Sequence, residues 1–106
     1  MPVDFGSFMR EANNLKARLE QMQGELAQLE CTGEAGGGQV RVSMNGQFEV
    51  RRIAIEPGAF DDHAMLEDLM AAATNDAVRR VRETIQERYA GLAGGMQLPP
   101  GMLPGL

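Results

Sequence analysis

Residues 39–56, QVRVSMNGQFEVRRIAIE, decide the fold of this chain. Apolar residues alternate with polar ones on both sides of Asn45-Gly46, and these are Val40, Val42, Met44, Phe48 and Val50. Period-two alternation predicts strands with one buried face. Asn-Gly between two such runs predicts a hairpin with a two-residue type I′ turn. The stretch is therefore interpreted as an antiparallel β-hairpin that ends at Pro57-Gly58.

The alternation slips by one residue at Arg51-Arg52, after which Ile53 and Ile55 form the next inward pair. One extra residue in a strand is a β-bulge, which restores the apolar face beyond it. A single hairpin is only marginally stable in water. It therefore needs a helix on its apolar face, further strands or a second subunit.

A long amphipathic helix is predicted before the hairpin, from about residue 5 to residue 30. Its apolar residues are spaced alternately by four and three: Phe8, Ala12, Leu15, Leu19, Met22, Leu26 and Leu29. This heptad spacing gives a narrow stripe, typical of a helix that packs along one partner. The pattern leaves open whether that partner lies within the subunit or across a dimer.

A second long helix is predicted from Asp61 or Asp62, either of which can cap its first turn, to Ala90. Gly91 and Gly94-Gly95 are expected to end it. Asn75 and Asp76 are poor helix formers, so they mark either a break or the capped start of another helix. A structural network around Asp76 is expected in preference to a catalytic role.

Two glycine-rich stretches flank these elements. Residues 32–38, TGEAGGG, are interpreted as a flexible hinge or a strand-entry turn. They do not fit a phosphate-binding P-loop, because no lysine follows them and no helix begins there. Residues 94–106, GGMQLPPGMLPGL, are expected to form a tail without periodic structure.

Composition argues against an enzyme and against a metal or cofactor site. The single cysteine, Cys31, and the single histidine, His63, are far apart in the sequence and cannot supply a zinc ligand set within one subunit. No nucleophile motif is present. The N-terminus lacks a signal-peptide pattern, and no apolar run approaches the roughly 20 residues that span a membrane. We therefore expect a cytoplasmic protein that has no catalytic residues, no cofactor, no metal and no membrane partner.

The basic residues carry the functional signal, although the net charge of the chain is −5. Nine of the ten are arginines, which bind phosphates through two parallel hydrogen bonds. The densest cluster is Arg79, Arg80 and Arg82, of which Arg79 and Arg82 share one helix face. Glu83 and Glu87 lie nearby, so an ion-paired, solvated face is the alternative.

Several unusual blocks occur in one order: LEQMQGELAQLE, TGEAGGGQVRVSMNGQFEVRRIAIEP, LEDLMAAATNDAVRR and GMQLPPG. Together they resemble the YbaB/EbfC nucleoid-associated family over residues 19–101. The resemblance implies a small cytoplasmic, nucleoid-located homodimer of tweezer-like shape with a shared β core. It also implies DNA binding with little sequence preference and links to nucleoid organisation, gene expression and recombination.

We therefore predict an α+β fold in which residues 1–93 form one dimerisation and DNA-binding domain and 94–106 a flexible tail. The predicted partners are double-stranded DNA, a second copy of the chain and a recombination-related protein. The predicted DNA-binding residues are Arg79, Arg80, Arg82, Arg10, Lys16 and Arg18. The alternative hypothesis is a dimeric scaffold that binds another protein through its Met-rich helices or its apolar tail.

Overall fold

The computed structural model describes residues 4–96, with side chains for residues 4–92. Its elements in chain order are α1 (Phe5–Gln28), β1 (Cys31–Ala35), β2 (Val40–Met44), β3 (Val50–Ile55), a 3-10 turn (Pro57–Asp61) and α2 (His63–Met96). The molecule is elongated, with extents of 72 × 24 × 15 Å. This architecture confirms the α+β class. Of the predicted tail, residues 94–106, the first three belong to α2 and the remainder lies outside the described residues.

The sheet has three antiparallel strands in the order β1-β2-β3, so the prediction of a hinge at residues 32–38 is wrong over its first half. Gly33 lies in β1, opposite Val42, at a position where a side chain has no room. A Cβ on Gly33 would lie 2.2 Å from the backbone N of Ala77 in α2. The turn itself is confined to residues 36–39, where Gly36, Gly37 and Gly38 all have positive φ.

The turn between β2 and β3 also differs from the prediction. Phe48, rather than Asn45 or Gly46, has a positive φ of 61°. The N–H of Asn45 donates to the carbonyl of Glu49 at 3.0 Å, so the turn that this bond closes has three residues, 46–48. The side-chain Oδ1 of Asn45, which is buried, accepts the backbone N–H groups of Gln47 and Glu49 at 2.9 and 3.0 Å. Gly46 is required for close approach, because its N–H donates to the carbonyl of Leu26 at 2.8 Å.

The predicted β-bulge is confirmed. Ser43 pairs with Arg52 and Met44 pairs with Val50, so Arg51 is the extra residue in β3. Its guanidinium Nη2 donates to the carbonyl of Ala27 at 3.4 Å. No basic residue lies in the last turn of α1, so Arg51 supplies a cation at the negative end of that helix.

The core lies between α2 and the first two strands. Its fully buried members come from β2 and from one face of α2, and they are Val40, Val42, Met44, Ala73, Ala77 and Val81. Small residues on α2 allow its backbone to lie close to β1. Residues directly opposite across a strand pair share a face, so Val50 and Ile53 of β3 also face the α2 side. Yet they are 47% and 43% exposed, and Ile53 is therefore not the buried residue that we predicted.

The two helices begin as the sequence predicts, and α2 ends later. Asp4 caps α1, and Oδ1 of Asp62 accepts the N–H of Met65 at 3.0 Å at the start of α2. The second helix passes through Asn75-Asp76 without a break. It also continues through Gly91 and Gly94-Gly95, which we expected to end it, as far as Met96. A single glycine costs a helix only about 1 kcal/mol, which explains why Gly91 does not end it.

Candidate nucleic-acid interface

Asp76 is the centre of a charged cluster on α2. Its Oδ2 accepts the backbone N–H of Glu34 on β1 at 3.0 Å and Nε of Arg80 at 3.0 Å. Its Oδ1 accepts a hydrogen bond from Nη2 of Arg79. The Asp76 side chain is only 14% exposed, whereas those of Arg79 and Arg80 are 65% and 52% exposed. A recessed carboxylate therefore holds two guanidinium groups at the surface, as the predicted network around Asp76 anticipated.

These contacts keep the cluster ionised. The N–H of Glu34, followed by Arg80 and Arg79, lowers the pKa of Asp76 from 3.8 to about 2. The same hydrogen bond from Arg80 raises the pKa of that guanidinium. At neutral pH the cluster thus carries two positive charges against one negative charge. Among these three side chains the balance is positive, although the carboxylates of Glu34 and Glu83 also act on Arg80 through space and the total charge of the protein is −5.

Arg82 extends this surface along α2. It is exposed, and within the part of the chain that has described side chains no carboxylate forms an ion pair with it. Because Arg79 and Arg82 are three residues apart, they lie on neighbouring positions of one helix face. The structure therefore brings three of the six predicted residues together.

Arg10, Lys16 and Arg18 are all exposed, and they form a separate group on α1. The buried residues of α1, Met22 and Leu26, lie in its C-terminal half. Arg10 lies about 18 Å along the helix from Met22 at 1.5 Å per residue. These three cations therefore lie on a helical arm, and the structure does not bring them next to the α2 cluster.

Four other arginines hold elements of the fold together. Arg51 bonds the carbonyl of Ala27, as described above. The other three form ion pairs: Arg52 with Glu30 at 3.1 Å, Arg88 with Glu25 at 3.3 Å and Arg41 with Glu34 at 3.7 Å. The pair between Arg88 and Glu25 joins α2 to α1. A shallow cavity of about 220 Å³ lies between the end of α1 and the bulge, lined in part by Arg51 and Arg52. Two of its lining arginines bond to other lining residues, Arg51 to the carbonyl of Ala27 and Arg52 to Glu30, so the cavity lies at the α1–β3 junction.

No metal-binding group and no membrane-spanning helix is found in the described residues. Groups of three or more His, Cys, Asp or Glu side chains close enough for a metal ion are absent from that part of the chain. None of the described helices is both long and apolar enough to cross a bilayer. Cys31 lies beside Thr84, with an Sγ to Oγ1 distance of 3.7 Å, whereas His63 begins α2. The two residues therefore do not form a Cys–His pair.

Comparison with known proteins places this arrangement in a family. An uncharacterised protein, HP0035 from Helicobacter pylori, has a crystal structure that is similar to this one, with a TM-score of 0.71 and 25% sequence identity. The match covers 92% of this chain and 100% of that one. The sequence model of the YbaB/EbfC DNA-binding family matches residues 1–96, which include both helices, the sheet and all six predicted DNA-binding residues. The chain therefore belongs to the YbaB/EbfC DNA-binding family.

Proposed function

We propose that this protein grips duplex DNA as a homodimer, mainly through phosphate contacts and with little sequence preference. Membership of a DNA-binding, non-enzymatic family supports a nucleoid-associated DNA-binding role, and with it a location at the nucleoid. The observation that supports the phosphate grip is the pair of exposed guanidinium groups held on Asp76. Effects on nucleoid organisation, gene expression or recombination are part of the same proposal.

The chemistry of the α2 cluster suits a phosphate backbone. Arginine presents several N–H donors in a planar fork that matches phosphate oxygens. Arg80 bonds Asp76 through Nε, which leaves both Nη nitrogens at its exposed tip. Phosphate contacts fix a protein on DNA without reading its sequence. Low sequence preference therefore follows from this mode of binding.

A homodimer is supported by the uncovered apolar strip on β3. Val50 and Ile53 face the α2 side of the sheet but are 47% and 43% exposed, because the core that α2 forms lies mainly on β1 and β2, with Ile55 of β3 packed at its edge. Phe48 and Phe60, which flank this strand in the sequence, are 43% and 54% exposed. β3 is also an edge strand, with one side of its backbone unpaired. Such an edge is a template for pairing with another chain, and a second copy would give the shared β core.

Dimerisation would double the basic groups and set two α1 arms on one body. Each arm has 24 residues, which corresponds to about 36 Å of helix. Arg10, Lys16 and Arg18 are exposed along it. Two arms of this length around a duplex give the tweezer-like shape that we propose. Both the arm cations and the α2 cluster would then contact phosphates.

The experiment is fluorescence anisotropy of a labelled duplex of about 25 base pairs, repeated from low to near-physiological salt with two unrelated sequences. We expect similar affinities for both sequences and a steep loss with salt, because binding releases counterions from phosphates. The double variant R79A/R80A should weaken binding to both and reduce the salt slope by about one unit per lost contact. Its matched control is R41A/R52A, which removes the same charge from the opposite face of the sheet. Equal effects of the two double variants would contradict the α2 cluster as the contact surface.

The dimer is tested separately by light scattering after size exclusion. I53D places a charge on the uncovered strip at a position that is 43% exposed in one subunit. We expect this variant to shift the protein towards a monomer, because a charge buried at an interface without a partner is strongly unfavourable. S43D, on the polar face of the sheet, is the control and should leave the dimer intact. A wild-type protein that is monomeric at micromolar concentration would rule out the proposed assembly.

A protein-binding scaffold remains the second candidate, and the N-terminal half of α1 favours it. Phe5, Phe8 and Met9 are 72%, 59% and 42% exposed there. Exposed apolar clusters often mark protein-binding sites. Pull-down with and without nuclease separates the candidates, since a DNA-bridged partner is lost on digestion. The variant that lacks residues 94–106 tests the tail, which should be dispensable for DNA but required by a partner that binds it.

A further inference from the structure

We infer that Asp76 is a positioning residue for DNA binding, which holds Arg79 and Arg80 side by side so that one phosphate group can bind both. The inference rests on the proposed function, because it assigns a role within the proposed phosphate grip. It adds that a negatively charged residue contributes favourably to binding a polyanion. This role differs from that of a catalytic or directly contacting residue.

The geometry of the cluster supports this role. The two oxygens of a single carboxylate bond the two guanidinium groups, Oδ1 to Arg79 and Oδ2 to Arg80. The guanidinium groups are therefore neighbours at the surface. Each keeps unbonded nitrogens in the described structure, and both side chains are more than half exposed. Donors from two adjacent arginines can thus converge on one phosphate.

Asp76 is itself held firmly. The backbone N–H of Glu34 donates to it from β1, and the flanking residues Ala73 and Ala77 are fully buried against the sheet. The carboxylate is therefore anchored to two elements of the core. Arginine loses considerable side-chain freedom when it is immobilised at an interface. An anchor that restricts both arginines before DNA arrives reduces this loss on binding.

The inference and simple electrostatics predict opposite effects of neutralising Asp76 on the affinity for DNA. Removing a negative charge beside the DNA should strengthen binding, because repulsion of the phosphates is reduced. If Asp76 positions the arginines, its neutralisation should weaken binding despite the more favourable net charge. The direction of the change therefore separates the two explanations.

The test compares D76N with E83Q in the anisotropy assay on the full chain. Both variants change the net charge by the same amount, and both residues are on α2. Glu83 acts on Arg80 only through space, whereas Asp76 also bonds it. We expect D76N to weaken binding about two- to tenfold, the cost of ordering a long side chain at an interface. E83Q should bind as tightly as the wild type or more tightly.

Tighter or unchanged binding by D76N would overturn the inference while leaving the proposed function intact. Loss of binding in D76N is accepted as support only if its thermal unfolding shows that it is folded at the assay temperature. A wild-type protein that does not bind DNA would overturn the proposed function and the inference together, and this result would be known before any variant is measured. An R79A/R80A variant that binds like the wild type would overturn the inference together with the α2 cluster as the contact surface, while DNA binding by the wild type would still stand.

A second pair of variants keeps the inference open to contradiction if D76N does not fold. R80K and R41K both keep the positive charge and both lose the planar fork at a carboxylate-paired site. Both side chains are more than half exposed, so neither change disturbs the core. We expect R80K to weaken binding about two- to tenfold and R41K to bind like the wild type. Equal affinities of the two variants would overturn the role of Asp76.

Discussion

The two long helices differ in how the rest of the molecule holds them. Along α2, Ala73, Ala77 and Val81 are fully buried against the sheet. Along α1, only Met22 and Leu26 are buried, and Phe5 and Phe8 near its start are more than half exposed. One helix is part of the core, whereas the other is attached near its C-terminal end. A charged group on α2 therefore lies on an element packed into the core, and one in the N-terminal half of α1 lies on a largely exposed arm.

The junction between the arm and the core combines the two buried apolar side chains of α1, Met22 and Leu26, with a few polar contacts. Arg51 bonds the carbonyl of Ala27, Gly46 bonds the carbonyl of Leu26, and Arg88 pairs with Glu25. Such contacts define a direction for α1 but provide little buried apolar area. Helices draw most of their stability in proteins from packing of an apolar face. Because α1 lacks this over most of its length, it should respond to mutation differently from α2.

The largest expected contrast in the free energy of unfolding comes from replacing a glycine by alanine in each of the two regions. G33A should destabilise the fold by about 3 kcal/mol or more, because its Cβ would meet backbone atoms of α2 that cannot move independently. G24A on α1 has no atom within 4 Å of its Cβ and should stabilise the helix by about 1 kcal/mol. Urea unfolding followed by circular dichroism measures both. A neutral G33A would contradict the close packing of β1 on α2.

The next contrast concerns apolar side chains. V81A should cost about 2 kcal/mol, because two methyl groups are lost from a fully buried site. L15A on α1, where the side chain is half-buried, should cost clearly less within one subunit. The free energy of unfolding of both variants, measured at several protein concentrations, sharpens the comparison. A concentration-dependent cost for L15A that equals that of V81A would show that a second subunit covers the α1 stripe.

How far the sequence predicts the fold depends on whether a signal is local. Heptad spacing predicted α1, a cap at Asp61 or Asp62 marked the start of α2, and the slipped alternation placed the bulge at Arg51-Arg52. The strand β1 was missed because Gly33 is needed for a contact with Ala77, 44 positions away in the sequence. Reasoning from neighbouring residues alone interprets such a glycine as flexible. Here the residue must be glycine because the backbones of β1 and α2 approach each other closely.

The candidate site shows the same division. Spacing alone predicted that Arg79 and Arg82 share a helix face, and a network was expected around Asp76. The donor from β1 that completes this network, the N–H of Glu34, is 42 positions away in the sequence. The roles of Arg51 and Arg88 also depend on partners in other elements. A single sequence therefore identifies the cations, but only the fold separates those that hold elements together from those that face solvent.

A smaller effect on stability is expected when the pH is lowered. The pKa of Asp76 is lowered from 3.8 to about 2 by the N–H of Glu34 and the two arginines. A lowered pKa means that the ionised form is favoured in the folded state, so this stabilisation is complete above about pH 4 and is lost as the pH falls towards 2. The difference in unfolding midpoint between the wild type and D76N should therefore be constant near neutrality and shrink in that range. A difference that persists unchanged at pH 2 would show that the charge of Asp76 does not tie α2 to β1.

The smallest effect is expected at the far end of the arm, where Asp4 caps α1. Its Oδ1 accepts the N–H of Gly6 at 3.1 Å, and its Oδ2 accepts the hydroxyl of Ser7 at 2.7 Å. The Ser7 hydroxyl is the largest cause of the lowered pKa of Asp4.

D4A should fray the first turn and slightly reduce the ellipticity at 222 nm. It should not shift the cooperative unfolding midpoint, because no buried residue lies near that turn. D4N, which keeps a capping oxygen, is the control. A shift of the midpoint in D4A would mean that the free end of α1 is packed against another subunit, and the arm would then belong to the core of a dimer.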